Sequence, residues 1–70
     1  MTLIPLANPQ TAPELRKPCR CYSGATDLQA QSCAERTYRE RGWPLPEVAY
    51  LVRVRGGYEL YLPVDKQTTA

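Results

Sequence analysis

The residues best suited to chemistry in this chain are three cysteines: Cys19 and Cys21, separated by one residue, and Cys33 downstream. Three thiolates invite a structural zinc, which takes four nitrogen or sulfur ligands, with paired cysteines usually about two to four residues apart. The Cys19-x-Cys21 spacing is shorter than that, and the chain contains no histidine. A fourth ligand would have to be a carboxylate, water or a second chain. The simpler reading makes Cys33 a small core residue on a helix and sets Cys19 and Cys21 on one side of a strand. No metal and no cofactor are expected.

Catalysis has still less to work with. Without histidine, the common general base and the Ser-His and Cys-His arrangements are absent. The carboxylates Glu14, Asp27, Glu35, Glu40, Glu47, Glu59 and Asp65 fall at caps or on element surfaces rather than converging. Gly56-Gly57 is accounted for by a turn, not by a phosphate loop. The expectation is a non-enzymatic protein.

Binding chemistry is better represented. Nine cations against seven acids give a net charge of +2, too mild by itself to indicate nucleic acid. Seven of the cations are arginine, whose planar fork makes bidentate contacts that lysine cannot. The aromatics are Trp43 and five tyrosines, and each tyrosine needs water or a partner at its hydroxyl.

These side chains must be positioned by very little chain. Seventy residues make one domain at most, with a marginal core. Pro5, Pro9, Pro13 and Pro18 mark 1–18 as a proline-rich arm that excludes a regular helix or a central strand. Thr11 and Glu14 have capping-box spacing, which allows one helical turn before Pro18. Leu3, Ile4 and Leu6 are the arm's apolar cluster; they either dock over the sheet or fray in solvent. Cys19 to Ser23 reads as a short strand. Thr26 is placed to cap a helix from Asp27 to about Arg41, with Gln29 three residues on. Gly42 is its left-handed stop, and Tyr38 and Trp43 stand where a Schellman ending brings side chains together. Ala30, Cys33, Ala34, Thr37 and Tyr38 share one stripe of that helix.

Glu47 to Val54 and Tyr58 to Val64 form a hairpin around Gly56-Gly57. A three-residue loop with Gly57 left-handed pairs Val54 with Tyr58, Val52 with Leu60 and Arg53 with Glu59. It collects Val48, Tyr50, Val52, Val54, Tyr58, Leu60, Leu62 and Val64 on one face, and burial of such a face selects register. The fold class expected is α+β, a β-α-β-β domain over 19–65 with one helix on an antiparallel sheet, followed by a disordered tail, 66–70.

That register leaves Leu51, Arg53, Arg55 and Tyr61 on the outer sheet face. An aromatic with flanking arginines matches interface hot spots. The function expected is binding of another protein, as an accessory or inhibitory factor, or of a second copy of the chain as a homodimer. The helix surface with Arg36 and Arg39 is the next candidate. The alternative is nucleic acid, with Tyr61 stacking a base and arginines on phosphates. No segment is apolar enough to span a bilayer, and Met1 to Leu6 lacks the regions of a signal peptide. With three cysteines, an odd number, a cytoplasmic location is expected.

Overall fold

A computed structural model describes residues 1–8 and 12–64. The elements are β1 (Thr2–Leu6), a 3₁₀ turn (Pro13–Arg16), β2 (Cys19–Gly24), α1 (Asp27–Arg41), β3 (Val48–Val54) and β4 (Gly57–Pro63). The expected tail, 66–70, lies outside the described residues.

The helix forms where its signals stand. The Thr26 hydroxyl accepts from the Gln29 N–H at 3.1 Å. The Gln29 side chain reaches back to the Ala25 N–H at 3.0 Å, one residue before the cap. At the other end Gly42 has φ 71. The Gly42 N–H donates to the Arg39 carbonyl and the Trp43 N–H to the Tyr38 carbonyl, the paired bonds of a Schellman ending. The stripe of small residues does its work: Ala30, Ala34 and Tyr38 are buried. Small side chains let α1 lie close to the sheet, so close that a Cβ on Gly24 would stand 2.6 Å from the Ala30 nitrogen.

The sheet has four strands in the order β1-β3-β4-β2. β2, α1 and β3 form a split β-α-β unit, because β4 inserts between the two strands that the helix connects. The helix on one face and the long C-terminal hairpin are as expected. The sheet, however, is mixed, because the proline-rich arm contributes β1 as a parallel neighbour of β3. The Thr2 N–H donates to the Glu47 carbonyl at 2.8 Å. Parallel strands use alternate residues towards one neighbour, so Thr2, Ile4 and Leu6 bond to β3 and Pro5 turns its missing donor to the open edge. That is where a strand tolerates proline.

The hairpin register differs from the expected one. Val54 pairs with Gly57, Val52 with Glu59, Leu51 with Leu60 and Tyr50 with Tyr61. The turn is Arg55-Gly56, and Gly56, with φ 88, is the left-handed residue instead of Gly57. A one-residue slip sends a strand's side chains to the opposite faces. Ala49, Leu60 and Leu62 therefore face α1 and complete its core, with Leu3, Tyr22, Trp43 and Leu51 packed around them. The reason is β1. It makes β3 a central strand, and a strand wanted on both faces is apolar on both alternations, so Val48–Val54 could not reveal its inward set.

Candidate functional site

The two sheet faces have different chemistry. On the helix side, β2 presents Arg20 and Tyr22 beside Leu62 and Leu60. Arg20 lies 3.7 Å from the Trp43 ring centroid and Arg41 5.3 Å from the same ring. Arg20 also donates to the Tyr38 hydroxyl at 3.3 Å. Tyr38 meets Trp43 edge-on at 5.4 Å and Tyr22 edge-on at 6.1 Å. Guanidinium on indole is worth roughly 0.5–2 kcal/mol, so this cluster closes the end of the core and leaves a basic, aromatic corner where α1 ends.

On the face away from α1, strand alternation sets Ile4, Tyr50, Val52, Tyr61 and Cys21 in neighbouring register positions. Tyr50 and Tyr61 are direct cross-strand partners and half-buried. Ile4, the β1 partner of Tyr50, is 38% exposed. Val52 is buried although it belongs to no part of the helix-side cluster, so this face has a small core of its own. The Tyr61 hydroxyl donates to the Glu59 carboxylate at 2.9 Å. That bond and burial hold the Tyr61 phenol well above the ordinary tyrosine range. Burial and the Glu59 carboxylate push the Cys21 thiol up, and burial does the same to Cys19. A raised thiol pKa disfavours the thiolate, the form that attacks and ligates.

The expected site is redistributed by the register. Tyr61 is on the face away from the helix. Leu51 packs against the helix-side core, and Arg53, paired with Tyr58, is exposed on that same side. Arg55 is exposed in the hairpin turn. Leu51 and Tyr61 therefore stand on opposite faces. Arg36 and Arg39 are exposed on α1 and line a shallow groove with Leu28, Gln29, Ser32 and Cys33. Cys33 lies across the sheet from Cys19 and Cys21. No group of three or more His, Cys, Asp or Glu placed to hold a metal occurs among the described residues.

Sequence reasoning passed over two features. The alternation of β3 predicts Tyr50 on the helix side, whereas it lies on the opposite face, and no pattern within β3 distinguishes the two. Arg20 carried no signal alone, although Trp43 at the helix stop marked where an aromatic would wait for a cation. Among the described residues no helix is long and apolar enough to cross a membrane. No protein-family model matches the chain, and comparison with curated proteins and with solved structures finds no match.

Proposed function

We propose that the chain is a non-catalytic interaction protein that binds another protein through the helix-free face of its sheet, centred on Tyr50 and Tyr61. The cross-strand tyrosine pair carries this reading. It lies on a face whose strand residues include no lysine or arginine and only one acid, Glu59. Sheet surfaces that hold single-stranded nucleic acid combine aromatic platforms with cations along the backbone path. Here the aromatics of this face are separated from the arginines, which suits an apolar protein surface. Tyrosine supplies large contact area with few torsions to fix, which favours it at interfaces.

The test is capture of partners from a lysate of the source cells, with and without nuclease, followed by Tyr50→Ala/Tyr61→Ala in the same assay once circular dichroism shows the fold retained. A nuclease-resistant protein partner is expected, bound at least about tenfold more weakly by the double variant, equivalent to ~1.4 kcal/mol. Equal binding by the variant would place the site elsewhere.

A second reading rests on the corner where Arg20 and Arg41 flank Trp43, with Arg36 and Arg39 on the same helix. Nucleic acid held there would dissociate steeply with added salt, which the apolar face would not.

A further inference from the structure

We infer that β2 is a docking edge for a second copy of this chain, which joins two four-stranded sheets into one eight-stranded sheet about a two-fold axis beside Cys21. The observation is the direction of the backbone groups. The Val64 N–H donates to the Pro18 carbonyl at 2.9 Å, and this pair continues the β2–β4 register beyond Cys19↔Pro63. Hydrogen-bonded and non-bonded pairs alternate along an antiparallel ladder. Arg20, Tyr22 and Gly24 therefore spend their backbone groups on β4, while Cys19, Cys21 and Ser23 aim theirs away from the sheet. Among the described residues no strand lies on that side.

The sheet's two edges are not equivalent. β1 turns Pro5 outward, which removes a donor and blunts that edge in the usual way. β2 has no proline, and its outward-facing residues carry no charge. Cys21 and Ser23 are also exposed. Such an edge is a template for strand addition.

A second copy fits this edge by self-complementarity, the requirement of a two-fold interface. With Cys21 opposite Cys21 of the second copy, Cys19 and Ser23 bond each other reciprocally, and every outward donor and acceptor of the three is used. Arg20 then stands opposite Tyr22 of the second copy, a favourable cation–aromatic neighbour. Sliding the pair so that Arg20 meets its own copy sets like charges together and loses bonds. The axis is perpendicular to the sheet, so both helices lie on the same face.

The experiment is sedimentation equilibrium of the full chain under reducing conditions over a wide concentration range, beside Cys21→Lys. That substitution keeps the strand and sets two ammonium groups across the axis at an exposed position. The mass average of the original protein is expected to rise from one chain towards two, and Cys21→Lys to weaken association by about tenfold or more. In parallel, the Cys21 and Ser23 amides should exchange more slowly as concentration rises, while the Leu3 amide on the other edge should not change. A protein that stays monomeric at every concentration, or a dimer undiminished by Cys21→Lys with unchanged Cys21 and Ser23 exchange, would overturn the proposal.

Discussion

Gly56 and Gly57 are adjacent, yet they are required for different reasons, and alanine at each should separate the two. Gly56 has φ 88, and a Cβ built on it meets nothing within 4 Å. Alanine there carries only the cost of a left-handed backbone, about 1–2 kcal/mol. Gly57 has no positive φ. A Cβ on it would overlap the carbonyl oxygen of Gly24 and stand 3.1 Å from the Ala25 Cα. Those are backbone atoms, which cannot swing aside as a side chain can. The end of β2 or the hairpin must shift, and the Gly24↔Tyr58 and Val54↔Gly57 ends of the ladders loosen with it. Overpacking costs about 1–3 kcal/mol and each weakened ladder bond about 1 kcal/mol. Gly57→Ala is therefore expected to cost roughly 2–4 kcal/mol, a large share of the stability of a domain this small. Urea unfolding followed by circular dichroism, compared at constant m, gives both values. If Gly56→Ala costs as much as Gly57→Ala, the close approach of β2 to the hairpin is not as described.

Two further outcomes test the candidate face and the arm. Because the Tyr61 phenol keeps its proton in the folded chain above the ordinary tyrosine pKa of about 10, the unfolded chain binds fewer protons there; the contribution to stability is fully present below that value and is lost as pH rises from it towards the raised folded pKa. Glu59→Gln removes the charge that Tyr61 donates to, so its phenolate absorbance should appear at lower pH and the alkaline fall in Tm should soften; superimposable curves would contradict the Tyr61–Glu59 bond. In β1, the Ile4 amide bonds to β3 and the Leu3 amide does not, so Ile4 should exchange slowly and Leu3 fast. Equal, coil-like rates at both would remove the strand.

Local signals carried much of this fold. Thr26, Gly42 and Trp43 mark the ends of α1 because capping is a short-range matter of a few donors and acceptors. Ala30, Ala34 and Tyr38 mark its buried stripe because helical periodicity repeats within the segment. The faces of β3 were not legible in the same way. Ala49 and Leu51 compete with Val48, Tyr50 and Val52 as an apolar set, and the choice is made by β1, more than forty residues away in sequence. The four prolines of the arm hid that strand, since only an edge position with Pro5 facing outward accommodates it. The candidate face inherits this only in part: Tyr61 lies on the side away from the helix as expected, while Leu51 and Tyr50 exchange sides.

The insertion of β4 between β2 and β3 also governs how the molecule is assembled. β2 and β3 are joined by α1 but never touch as ladder partners, so no pairing between them can form while β4 is missing. Among the described elements, the strand that closes both ladders is the last in the chain. A nascent chain released as far as β3 would hold a capped helix and two strands facing a gap, with Leu60 and Leu62 missing from the core. Completion of the sheet therefore waits for Gly57–Pro63, and connectivity with a high share of long-range closure slows folding. A stop or a cut within β4 would remove the keystone from both halves of the sheet at once, whereas the loss of β1 would strip only an edge.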